Sequence, residues 1–261
     1  MQFTFEAAFA KGMSLFKSRY GGLLAATLVF ILLLVGVGLA KTLVNSLLGV
    51  DPDQTSATPT DHLIDIFISV PLTAGILLIA LQHLRGESPA MGTLFAGFRR
   101  YWPLVGIGVL LMLIFMAPVV AAALFLGFGA LFIGGTSAAL PAITVTAILV
   151  GLVLICIFIM LYTKLIFASL LCIDPRTRLG VCDSIATSWR MTGPVFWPLL
   201  GLTIVMGLIL IGTMIVLVLP LFFVGIPLCL AITVSAYELI MSEQDTGEMG
   251  SGYSTEEITA S

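Results

Sequence analysis

Six apolar stretches organise this chain, at 21–48, 63–84, 104–133, 142–172, 195–218 and 221–241. A hydrocarbon core about 30 Å thick needs roughly 20 apolar residues in a helix, and each stretch supplies that length. The reading is an all-α, polytopic membrane protein with six transmembrane helices. Composition agrees. Of 261 residues, 59% are hydrophobic and 10% are charged, where soluble domains carry about 25% charged residues. Eleven Lys and Arg with fourteen Asp and Glu cannot coat a soluble globule of this size. The same numbers exclude a DNA-binder, a secreted disulfide scaffold and a disordered chain, so no nucleic-acid partner is expected.

The basic residues set the orientation. With six spans, Lys11, Lys17, Arg19, Arg85, Arg99, Arg100, Arg176, Arg178 and Arg190 all fall on one side. Only Lys41 lies near an opposite helix end, and Lys164 lies within a span. An odd number of spans destroys this agreement. Both termini are therefore expected in the cytoplasm. The first apolar stretch exceeds the 7–15 residues of a typical signal-peptide core, so it is read as a retained span.

Residues 1–242 read as one transmembrane domain, because no polar connection is long enough for a separate soluble unit. The composition changes at 243. Glu243, Asp245, Glu248, Glu256 and Glu257 occur there among Gly, Ser and Thr, with no Lys or Arg. Such a stretch buries too little apolar surface to offset its ordering entropy, so 243–261 is predicted to be a disordered acidic cytoplasmic tail. Pro71, Pro118 and Pro227 fall inside spans two, three and six. Each removes a backbone N–H and is expected to kink its helix.

Three similar segments precede spans one, three and five. They are FAKGMSLFKSRYGGLL from Phe9, MGTLFAGFRRYWPLVG from Met91 and CDSIATSWRMTGPVFWPLLG from Cys182. Each carries an aromatic–basic pair, Phe16-Lys17, Phe98-Arg99 or Trp189-Arg190, then another aromatic and a Gly or Pro. In the second segment Met91, Leu94, Phe95 and Phe98 fall at i, i+3, i+4 and i+7, one face of an α-helix. The expectation is a short amphipathic helix in the cytoplasmic interface before each outward span. Its Lys and Arg face headgroups and its apolar face meets acyl chains. Phe16, Lys17, Phe98, Arg99, Arg100, Trp102, Trp189, Arg190 and Trp197 are the candidate interfacial anchors, and all three tryptophans fall among them, as an aromatic belt predicts. Interfacial helix, outward span and return span then form a unit repeated three times.

This pattern resembles a diffuse group of bacterial six-span membrane proteins. The group includes YciC-like proteins and the membrane domain of some glycerophosphoryl diester phosphodiesterases. The residues that carry the resemblance are Ser184-Ile185-Ala186-Thr187-Ser188-Trp189, Gly193-Pro194-Val195-Phe196-Trp197, and Pro227 with Ala236-Tyr237. It implies the fold and a bacterial inner membrane. It transfers no catalytic residue, and the phosphodiesterase catalytic domain is not expected within these 261 residues.

Among intramembrane charges Lys164 stands out, about eight residues and so roughly 12 Å of helix from Cys172. It reads as a snorkelling lysine or as a cation for an anionic group. Glu238 lies at similar depth, which makes Lys164 and Glu238 the candidate intramembrane charge pair. Asp61, His62 and Asp65 read as a helix first turn. Cys156, Cys172, Cys182 and Cys229 have no metal-ligand spacing, and His62 and His83 lie far apart, so no metal site or catalytic triad is expected. No nucleotide, hydrolase or metalloprotease motif occurs, and no cofactor or catalytic residue is assigned. The expected function is a non-catalytic inner-membrane protein that organises lipid or a membrane partner, with a second copy as one such partner. The alternative is a small permease-like component for a lipid-like or amphiphilic substrate, since the midplanes are nearly all aliphatic.

Overall fold

The computed structural model describes residues 3–47, 65–133, 140–216 and 218–256, and all their regular structure is helical. Six helices are long and apolar enough to cross a bilayer, the architecture of a multi-pass membrane protein. Helix α1 (Phe5–Ser18) leads into α2 (Tyr20–Leu47). Next come α3 (Val70–Leu84) and a 3₁₀ helix, Met91–Arg100, which runs into α4 (Tyr101–Ile133). Helices α5 (Leu140–Leu165), α6 (Ala168–Ile173), α7 (Val181–Met191), α8 (Phe196–Val216) and α9 (Ile226–Glu256) follow. The stretch 48–64, with the loop at 51–61 and His62, lies outside the described residues, as do 134–139 and 257–261. Helix α9 runs through most of the stretch read as a tail.

The core gathers on α3 and α9. Leu77, Leu81, Ile232, Val234 and Tyr237 from these two helices share one buried cluster with Phe167 and Leu171. The outer faces of α2, α4, α5 and α8 stay apolar and exposed, as at Leu32, Leu113, Ile148 and Ile215. Apolar surface on this scale is a liability in water, whereas hydrocarbon solvates it.

Helices α3 and α9 begin alike. A five-residue π-helical turn, Asp65–Ser69 or Leu221–Gly225, precedes each, and Pro71 or Pro227 takes the second helical position. A proline ring clashes with the carbonyl four residues back, and the wider π turn moves that carbonyl aside. These two irregularities therefore sit at helix starts, while Pro118 remains inside α4. The local sequences match as well, FISVPL at 67–72 and FVGIPL at 223–228.

Each segment before the first, third and fifth spans packs against an even-numbered span. In α1, Ala8, Gly12 and Leu15 are buried, with Gly12 seated on the Ile232 backbone of α9. The Phe3 N–H donates to Glu243 Oε2 at 3.2 Å. The 3₁₀ helix meets α3 through two glycines. A Cβ on Gly75 would overlap the Leu94 carbonyl, and a Cβ on Gly97 would overlap the Pro71 carbonyl. Only glycine permits this approach of backbone to backbone. Helix α7 buries Ser184, Ser188 and Met191 where α5 gives way to α6.

One expectation is corrected. The four-residue α-helical stripe of the second segment does not form. With three residues per turn, Leu94 and Gly97 share the edge that faces α3. Met91, Phe95 and Phe98 stay exposed at 46%, 51% and 39%. Span four keeps nearly its expected extent, at Thr144–Ile173, with an interruption inside it, since α5 ends at Leu165 and α6 restarts at Ala168. The Lys164 carbonyl accepts from Ser188 Oγ at 2.8 Å, so the break strands no buried acceptor there.

Candidate functional site

The second, fourth and sixth spans meet in one ion network. Helix α3 stops at Gly86, whose φ of +83° is the left-handed conformation that glycine supplies past a helix end. That stop leaves Arg85 at the cap position. Asp174 caps α6, and Tyr237 and Glu238 lie on α9. Arg85 Nη1 and Nη2 donate to the two Asp174 carboxylate oxygens at 2.9 and 2.7 Å. Its Nη2 and Nε also reach Glu238 Oε2 at 2.9 and 3.2 Å. Arg176 Nη1 donates to Glu238 Oε1 at 3.0 Å. The Arg176 N–H and the Tyr237 hydroxyl donate to Asp174 at 3.1 Å each.

Burial makes this network strong. The Asp174 side chain is 1% exposed, Arg85 11% and Glu238 19%. Burial alone pushes the Asp174 carboxyl up. The Arg85 guanidinium, the Arg176 N–H and the Tyr237 hydroxyl outweigh it and hold the carboxyl below the usual carboxylate range. Burial likewise pulls Arg85 down, and its two carboxylate partners more than restore it. Two arginines balance two carboxylates, with paired oxygens on both acids. Chemically this is a clamp that ties three spans together, because Asp174 is held ionised and has no proton to give at neutral pH. Among the described residues no three His, Cys, Asp or Glu side chains gather as metal ligands.

Lys164 and Glu238 have separate partners. Lys164 Nζ lies over the rings of Trp189 and Phe196, 5.5 and 5.0 Å from their centroids, cation–π range. Ser188 Oγ holds its carbonyl from the same helix, so Lys164 is fixed on α7 at both ends. Beside it a cavity of about 480 Å³ opens between α4, α5 and α7. Leu110, Ile114, Leu165, Ile185 and Trp189 bound it, with Arg190 on its wall.

The interfacial candidates separate by exposure. Trp102, Trp189 and Trp197 are 75%, 42% and 77% exposed. Lys17, Arg99 and Arg190 are exposed, while Phe16 and Arg100 are half-buried. Arg100 turns inward and donates to the Cys172 carbonyl at 2.7 Å. Sequence reasoning missed the Arg85–Asp174–Glu238 clamp. The signal was present, since Arg85 and Asp174 directly follow the second and fourth spans and Glu238 lies in the last two turns of the sixth. No family model matches the chain, and no curated protein or solved structure matches it either.

Proposed function

We propose that this is a non-catalytic protein of a bacterial inner membrane, with both termini cytoplasmic, that organises lipid at the cytoplasmic interface. The three pre-span helices act as repeated anchors. One observation carries the reading. In every segment the residue just before the aromatic is buried, Leu15, Gly97 or Ser188, and the basic residue just after it is exposed. Each helix thus docks one edge on protein and turns its basic residue outward, with Phe98 and Trp189 exposed beside theirs and Phe16 half-buried. The matching Pro turns of α3 and α9 support a repeated unit. So does the packing of α1 on α9, which sets the first pre-span helix against the last return span. The YciC-like resemblance belongs to the same proposal.

The test uses tryptophan variants in vesicles with brominated lipids. Variants keeping only Trp102, only Trp189, or only a Phe16→Trp reporter are compared. Similar quenching by shallow acyl bromines at all three positions is expected. Full water exposure of all three, or quenching of Trp189 by deep labels alone, sinks the reading.

A second reading, a permease-like component for an amphiphile, draws support from an interior cavity of about 410 Å³. Leu77, Phe115, Tyr162, Leu210 and Leu230 line it, with Thr73 and Thr233 among its few polar groups. That volume falls within the roughly 300–1,000 Å³ of small-molecule sites, and its apolar wall suits a lipid-like molecule.

A further inference from the structure

A third cavity differs from the two apolar ones. It measures about 810 Å³ and lies between the end of α3, the 3₁₀ helix and the loop after α6. Arg99, Arg100 and Arg178 line it, and no Asp or Glu does. Among the described residues, the salt bridges of this end run through Arg85 and Arg176, and none involves these three arginines. Arg100 is aimed by its hydrogen bonds to the Cys172 and Leu179 carbonyls. Arg178 stands at φ +46°, the one non-glycine residue with positive φ among those described. Such a conformation costs free energy that the surroundings must offset. Thr93 adds a hydroxyl, and the Gln82 amide oxygen, buried without a partner, completes the polar wall. Leu78, Ala96 and Ile173 form an apolar floor.

Three guanidinium groups around one cavity repel each other until an anion enters. Guanidinium forks match phosphate oxygens in pairs, and basic pockets between spans on the cytoplasmic side suit lipid headgroups. We propose that this cavity binds the phosphate of an anionic phospholipid headgroup. The lipid source is favoured over a soluble phosphate ester because Phe95 and Phe98, both exposed, flank the arginines on the same 3₁₀ helix. The proposal rests on the lipid-organising reading and gives it a ligand class and a site.

The test retains lipid on purified full-length protein and counts it by native mass spectrometry. Phosphatidylglycerol, phosphatidylcholine, inorganic phosphate and glycerol phosphate are the probes. Phosphatidylglycerol should be retained over phosphatidylcholine. The Arg99→Gln/Arg178→Gln variant should bind it about tenfold more weakly or worse, since each guanidinium–phosphate contact is charge-assisted. The Lys11→Gln/Arg19→Gln variant removes as much charge away from the cavity and should bind as the parent does. Equal losses in both variants mean generic surface attraction and overturn the proposal. Binding of the soluble phosphates without the lipid overturns the lipid source, and binding of neither overturns the site. Arg100 is left intact because it also holds α6. Shallow tryptophan quenching without arginine-dependent retention removes the cavity and leaves the interfacial reading. Arginine-dependent retention with failed quenching does the reverse.

Discussion

Arg85 and Arg176 face Asp174 and Glu238 at close range, with charge balanced and every side chain but that of Arg176 largely shielded. Arg99, Arg100 and Arg178 face a cavity that no carboxylate enters. The two groups are neighbours, since Arg100 donates to a carbonyl only two residues before Asp174. Basic residues on the cytoplasmic side of a membrane protein usually share one explanation, topology. Here two roles separate. Arginines that own a carboxylate hold spans together, and arginines without one are left to recruit an anion from outside. Each role fails differently when perturbed.

The largest effect belongs to the clamp. Asp174→Asn keeps the shape and removes the charge, leaving Arg85 largely buried with Glu238 as its remaining carboxylate. Breaking a buried pair in this way costs about 3–5 kcal/mol. Denaturation in detergent should show a large loss, and phosphatidylglycerol retention by the protein still folded should change little. The pH profile sharpens the contrast. The folded carboxyl of Asp174 lies below its unfolded value, so the unfolded chain binds more protons in acid. The contribution of Asp174 is thus complete above the ordinary carboxylate pKa of about 4 and fades as pH falls through the folded value. Asp174→Asn should flatten that part of the profile. A variant as stable as the parent, or one that lost lipid instead, breaks the division of roles.

The six spans were readable because hydropathy reports lipid contact directly. The stretch 21–48 corresponds to Tyr20–Leu47, and 195–218 to Phe196–Ile215. The clamp was not readable, because depth along a helix does not say which way a side chain turns. Lys164 and Glu238 match in depth, yet Lys164 turns to Trp189 and Phe196 while Glu238 turns to Arg85 and Arg176. The break at 166–167 was hidden because Ile and Phe sustain apolarity whether or not the helix continues. The 3₁₀ geometry of Met91–Arg100 was hidden for another reason. An i, i+3 pair suits both periods, and the backbone contact of Gly75 and Gly97 decides between them.

That glycine contact supplies an intermediate effect, on the open arginines. Gly75→Ala places a Cβ on the Leu94 carbonyl, a backbone atom that cannot rotate away. Overpacking of this kind costs about 1–3 kcal/mol and shifts the helix that carries Arg99 and Arg100. The expected signature is a moderate stability loss with a clear loss of retained anionic lipid, the opposite balance to Asp174→Asn. Gly36→Ala is the control. Nothing lies within 4 Å of its added Cβ, and alanine favours helix by up to about 1 kcal/mol over glycine. If both substitutions leave lipid retention alone, the 3₁₀ helix does not position the cavity.

The smallest expected effect tests whether the open arginines have a counter-charge within this chain. The stretch from 243 holds five acids and no Lys or Arg, and an even number of spans puts it on the arginine side. Docked in the cavity, it would turn the open group into a second clamp. The expectation is that it does not dock. Its Gly- and Ser-rich composition offers little apolar surface to offset ordering, and in the proposed cytoplasmic placement an anionic leaflet would repel its acids. Glu243 is kept in the truncation, because it accepts from the Phe3 N–H. Deleting 244–261 should therefore change unfolding free energy by no more than roughly 0.5 kcal/mol, the range of neutral surface changes. Phosphatidylglycerol retention should also stay at the parental level. Tighter lipid binding after truncation would show the tail competing for Arg99 and Arg178. That result would make the arginine cavity self-regulated, whereas lower stability with lipid retention unchanged would show the stretch packed on the body away from the cavity.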